Sequence, residues 1–203
     1  MSNEFDDEVP MGNYGGNVLA RQLHLVAKLI NARERLGLSR QTFFVRMGGW
    51  DTHGNQNLRL PVLLTELDEA LGLFSDVLGP GAMNVADTVT TFTASDFGRT
   101  LTSNGDGTDH GWGGHSFVMG GAVSGGEFYG QMPSFATANN PDDTGTSVSG
   151  GNNGFAGRLI PTQSVNQLGA TLATWMGAQT SEINQIFPDL ANFAQRDLGF
   201  MAA

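Results

Sequence analysis

Apolar residues recur at three- and four-residue steps from about Asn17 to Leu36, at Leu19, Leu23, Val26 and Ile30. That spacing predicts an amphipathic helix, with Gly37 ending it. The period then shortens. Between Thr42 and Met47, Phe43, Val45 and Met47 alternate with Phe44 and Arg46, which predicts a strand. A second helix is predicted from about Leu58 to Leu78, with Pro61 in its first turn. Its buried stripe is Leu60, Leu63, Leu64, Leu67, Leu71, Phe74 and Leu78, and Gly79-Pro80-Gly81 stops it. The β-branched run from Thr88 to Ala94 predicts a second strand. Strand, helix and strand in this order imply a right-handed crossover and parallel strands.

Ser116 to Val123 reads as a third strand with no helix before it, so it should run antiparallel to the second or not neighbour it. A third helix is predicted from about Ser164 to Met176. The tail, with Ile186-Phe187-Pro188 and Leu198-Gly199-Phe200, should pack back as a cap. Residues 1–16 read as a flexible lead-in, and Asn139 to Gly154 as a long surface loop. The fold class this predicts is α/β, with a mixed, mostly parallel sheet flanked by helices.

Composition narrows the function. The chain has 203 residues, 39% of them apolar, enough for a real core. Ten basic against twenty acidic residues give a net charge of -10, which argues against nucleic acid or an anionic membrane as partner. No apolar run approaches the roughly 20 residues that span a bilayer. The acidic N-terminus, MSNEFDDEVP, is not a secretory signal. With no cysteine, disulfides, thiolate metal sites, a cysteine nucleophile and a formylglycine made from cysteine are excluded. Any metal must be held by His, Asp or Glu, which suits Zn²⁺ or harder divalent ions.

The candidate chemistry gathers around FFVRMGGWDTH, Phe43 to His53. Gly48 and Gly49 let the backbone turn away from the strand, and Asp51 and His53 follow at once. If the first two strands are parallel, Asp51 and His53 share one sheet edge with Ser95 and Asp96, where open α/β sheets build their sites. The Gly-rich loop from Gly98 to Gly114, with Asp109 and His110 in it and His115 just after, should fold over the same place. Asp51, His53, Asp96, Asp109, His110 and His115 are the residue types that hold one or two divalent metals, and two metals can clamp both oxygens of a phosphoryl or sulfuryl ester. Each also has an ordinary role as a turn, cap or surface residue. Arg99 is a fork-shaped cation suited to a tetrahedral anion, or an exposed loop arginine. His24, on the first helix, reads as a solvated surface residue rather than a ligand.

The segments RQTFFVRMGGWDTHGNQ, TASDFGRTLTSNGDGTDHGWGGHSFVMGGAVSGGEFYGQMP, GRLIPTQSVNQLGATLATWMG and IFPDLANFAQRDLGFM resemble a bacterial sulfatase-like domain-of-unknown-function family placed near the alkaline phosphatase superfamily. The resemblance runs from about residue 17 to 201. It implies that 17–203 is the C-terminal part of an alkaline-phosphatase-like α/β domain. It further implies export by a twin-arginine signal to the periplasm, and a missing N-terminal half or self-association. The implied activity is metal-dependent hydrolysis of a phosphate or sulfate ester, or else a non-catalytic exported protein that keeps the fold and a metal. Asp51 and His53 resemble a ligand pair of that superfamily, although only one residue separates them where the superfamily has three. Ser95-Asp96-Phe97 resembles an Asp-His ligand pair with phenylalanine in place of the histidine. Asp109-His110-Gly111 resembles the segment of the last histidine ligand.

Overall fold

The computed structural model describes residues 9, 11–132 and 157–202. The loop expected at Asn139 to Gly154 lies outside them. The chain divides into two compact units, residues 1–90 and 91–203.

The first unit is built on two helices. Helix α1, Val18–Asn31, starts where the Asn17 side chain accepts the Ala20 N–H at 3.0 Å, capping an N–H that would otherwise lack a partner. A further turn closes on Gly37, whose φ of 66° favours glycine. Helix α2, Gln56–Leu78, carries Pro61 in its second turn rather than its first, so one intrahelical bond, to Asn57, is lost there. Leu19, Leu23, Val26, Ile30, Phe74 and Val77 form the buried centre between the helices. The expected α2 stripe is right in its second half. Leu64, by contrast, is exposed and Ala70 is buried instead.

The chain before α1 takes part in this core. Val9 is 1% exposed. His24 holds this segment in place: its Nε2 lies 2.9 Å from the Val9 carbonyl, and Tyr14 packs edge-on against its ring at 5.7 Å. A histidine expected in solvent is thus a packing residue.

Residues 42–47 alternate as predicted. Phe43, Val45 and Met47 pack against the core while Phe44 and Arg46 face out. Yet no strand pairs with them among the described residues. In place of a neighbouring strand, Gln22 of α1 accepts the Arg46 N–H at 3.0 Å and donates to the Arg46 carbonyl at 2.9 Å.

The expected mostly parallel sheet is absent from the described residues. Two two-stranded antiparallel sheets are found instead, both in the second unit. The predicted strand at 88–94 begins with a 3₁₀ turn, Ala86–Thr88, where Thr88 Oγ1 donates to the Val85 carbonyl at 2.9 Å. A side chain that bonds its own local backbone competes with strand pairing. Only β1, Thr91–Phe92, remains, paired antiparallel with β4, Val118–Met119. The antiparallel expectation for the second and third predicted strands holds, but the parallel crossover does not. With it falls the alkaline-phosphatase-like architecture, and with that the argument that a shared carboxyl edge gathers the candidate ligands.

The Gly-rich stretch expected as a loop is a hairpin. Strand β2, Gly98–Ser103, pairs antiparallel with β3, Thr108–Gly111. Asn104 forms the turn, its Oδ1 accepting from Asp106 N at 3.2 Å and Gly107 N at 2.8 Å. The glycines here let backbone lie on backbone. A Cβ on Gly98 would stand 1.8 Å from the Gly113 carbonyl oxygen, and one on Gly111 would stand 2.7 Å from the Arg99 carbonyl oxygen.

Helix α3, Val165–Trp175, begins with a capping box between Ser164 and Gln167. It packs with the short α4, Thr180–Ile186, around Ala170, Ile183 and Leu190. The tail returns as expected, with Leu198 and Phe200 buried and Met201 bridging antiparallel to Val123. Thr171, 1% exposed, ties it down by accepting the Leu198 N–H at 2.9 Å.

Candidate metal centre

In the first unit the extended segment ends at Gly48 and Gly49. Gly49 has a φ of 98°, which turns the chain so that Trp50 to His53 lead into α2. The first turns of α2 hold this loop from below. Thr52 is buried, and its hydroxyl donates to Gln56 Oε1 at 3.2 Å. Arg59 Nη2 donates to the Gly49 carbonyl at 3.3 Å. The Leu63 side chain fills the space in which a Gly49 Cβ would sit, at 3.1 Å. With Thr52 turned inward, its two neighbours turn outward. Asp51 Oδ1 and His53 Nε2 stand 3.0 Å apart, with side chains about half exposed, 54% and 47%.

That distance fits chelation. Two donors each about 2.0–2.2 Å from a zinc ion stand about 3.4 Å apart at the tetrahedral angle, close to the gap observed. A carboxylate oxygen and an imidazole nitrogen are both zinc donors. The one-residue spacing that departs from the superfamily's therefore still gives a usable pair.

In the second unit the candidates have different surroundings. His110 lies on β3, cross-strand from Arg99 on β2. Its ring stacks on Phe97 with centroids 4.6 Å apart and planes tilted by 34°. Phe97, which replaces a histidine in the resemblance, thus supports an imidazole instead of acting as a ligand. Arg99 also lies over Phe97, with its guanidinium carbon 5.7 Å from the ring centroid. It is engaged within the hairpin, where Nε donates to Thr108 Oγ1 at 3.0 Å and Nη2 donates to the Thr108 carbonyl. An arginine so occupied is part of the hairpin's structure rather than a group waiting for an anion.

Asp109 is also tied into the hairpin, accepting from Asn104 Nδ2 at 3.2 Å while its backbone N–H donates to Thr100 Oγ1 at 3.0 Å. Asp96 and His115 are exposed, and neither is hydrogen-bonded or ion-paired through its side chain among the described residues. Asp51, His53 and His110 are each exposed and each offer one donor atom suited to a divalent cation. The sequence did not point to Gln56 and Arg59, and it placed Leu63 in the helix stripe without linking it to this loop. Their signal was the three- and four-residue spacing from Thr52, which places them on one face of α2.

Among the described residues, two two-stranded antiparallel sheets, four α-helices and an outward-facing Asp-x-His pair define an α+β chain with a candidate metal-chelating loop. The chain belongs to the family described as Protein of unknown function (DUF1501), which it matches over residues 7–149. No curated protein matches the chain, and no solved structure does. Among the described residues, no helix is long and apolar enough to cross a membrane.

Proposed function

We propose that this chain binds a divalent metal ion, zinc fitting best, with Asp51 and His53 as two protein ligands. The observation that carries the reading is the Asp51–His53 pair, whose donor atoms stand 3.0 Å apart on a braced loop. A carboxylate oxygen and an imidazole nitrogen are both zinc donors. Bracing matters because a preset pair loses little side-chain freedom when it takes up an ion. Thr52, Gln56 and Arg59 supply it.

A second reading adds catalysis to binding. Two protein ligands leave a zinc ion open positions, and a bound metal would then supply a Lewis acid and a more acidic water. Hydrolysis of a phosphate or sulfate ester in the periplasm is the activity this allows. The chain's own part would be to hold the ion, since Thr52 is buried and Arg99 is engaged by Thr108. The reading is tested by elemental analysis of gently purified chain, followed by turnover of an aryl phosphate or sulfate ester. Stoichiometric zinc without turnover supports binding alone, and zinc with metal-dependent turnover supports the hydrolase. The absence of any divalent metal, with none taken up on addition, rejects both.

A further inference from the structure

Residues 42–47 form an extended segment with no partner strand among the described residues. Its two edges differ. In an extended chain, successive backbone N–H and C=O groups point to opposite edges. On the edge of the even-numbered residues, Gln22 takes both groups of Arg46. On the opposite edge, Phe43, Val45 and Met47 make no backbone hydrogen bond among the described residues. The three side chains of those residues pack against the unit's core, so the segment is anchored and its register is set. Outward-facing Phe44 is 91% exposed, and Arg46 beside it is exposed too. An anchored edge with open donors and acceptors is a template for another strand.

We propose that this edge pairs with the same edge of a second copy of the chain, antiparallel, about a two-fold axis at Val45. The sequence is self-complementary in that register. Val45 opposes the second copy's Val45, and Phe43 opposes its Met47, which forms about six backbone hydrogen bonds. Phe44 then opposes Arg46 of the second copy in the closely spaced type of antiparallel pair, and Arg46 opposes its Phe44. An arginine over an exposed aromatic ring is attractive, and the symmetry makes the contact twice. An axis at Phe44 would use the same open edge but would set Phe44 against Phe44 of the second copy and lose both Phe44–Arg46 pairs. The cross-strand aromatic–cation pairs therefore favour the register centred on Val45.

The test is sedimentation equilibrium of the full chain over a range of concentrations, with variants at the exposed position. The wild-type chain should form a dimer. Phe44→Lys places a cation opposite Arg46 of the second copy and should weaken the dimer at least tenfold. Phe44→Glu places an anion there and should keep it. Because Phe44 lies outside the core, both variants should fold, which circular dichroism checks. Hydrogen exchange adds a second readout, as the Val45 and Met47 amides should slow with rising protein concentration. A wild-type chain that stays monomeric at its highest soluble concentration overturns the proposal. So does an equal response to Lys and Glu, or exchange at Val45 that ignores concentration.

Discussion

Replacing Gln22 with alanine removes the substitute for a neighbouring strand. Gln22 makes two hydrogen bonds to one residue, at 2.9 and 3.0 Å, donating to the Arg46 carbonyl and accepting from its N–H. A typical bond of this kind contributes about 0.5–1.5 kcal/mol net. Both lie at an exposed site, where water can replace the lost partner, so the pair should be worth about 1–2 kcal/mol rather than the full sum. Alanine is a good helix former and α1 itself should not suffer. The loss should therefore appear as detachment of residues 42–47 from α1 rather than as unwinding of the helix. Hydrogen exchange by NMR reads this directly. About 1.4 kcal/mol corresponds to tenfold, so protection of the Arg46 amide should fall roughly tenfold in Gln22→Ala. Amides in the middle of α1 should keep theirs. Gln22→Glu keeps an acceptor for the Arg46 N–H but sets a carboxylate against the carbonyl, and should be no better than alanine. Unchanged protection at Arg46 in Gln22→Ala would refute this account of how the segment is held.

Further outcomes follow from the packing. Gly98→Ala drives a Cβ into the Gly113 carbonyl, whereas Gly114→Ala meets nothing closer than 3.7 Å; the first should lower stability by about 1–3 kcal/mol or more, read as a clear drop in melting temperature, and the second hardly at all. Thr171→Val keeps the volume but leaves the buried Leu198 N–H without its acceptor, which should cost about 1–3 kcal/mol and expose the tail to limited proteolysis. His24→Ala removes the contacts to Val9 and Tyr14 and should lower stability by about 1 kcal/mol, as read by urea denaturation, while leaving zinc uptake unchanged. Zinc affinity should fall as pH is lowered, because its ligands must be deprotonated to bind, and titration calorimetry at several pH values checks this.

The sequence made α1, α2 and α3 legible because their burial pattern is local, whereas the short α4 was not foreseen. The apolar spacing in α1, the Gly37 stop and the Ser164 cap are all decided within a turn or two of the residues concerned. The alternation of Phe43 to Met47 was equally visible, and it correctly sorted inward from outward side chains. What it could not reveal is the partner. Whether an extended segment lies beside another strand or beside Gln22 depends on residues 20 or more positions away. The parallel sheet failed for that reason, together with the Thr88 hydroxyl, which closes a turn where β-branched composition suggested a strand. Glycine misled in the other direction. At Gly98 and Gly111 it permits close backbone packing in a hairpin rather than an irregular loop. Of the candidate site residues, Asp51 and His53 were readable together because one buried threonine between them forces both outward. The surroundings of Asp109 and Arg99 were not legible, because their partners, Asn104 and Thr108, belong to the unforeseen hairpin.

The central claim is that Asp51 and His53 hold a divalent ion. Its most direct test is calorimetric titration of zinc into the chelator-treated chain, wild type and Asp51→Ala, His53→Ala and His24→Ala variants side by side. Loss of a direct ligand should exceed the roughly 10- to 100-fold effect of changes outside the ligand shell. The account predicts saturable zinc binding by the wild type and by His24→Ala, with a weakening of more than about 100-fold in each of the other two. Equal binding by all four proteins, or none by the wild type, would contradict it.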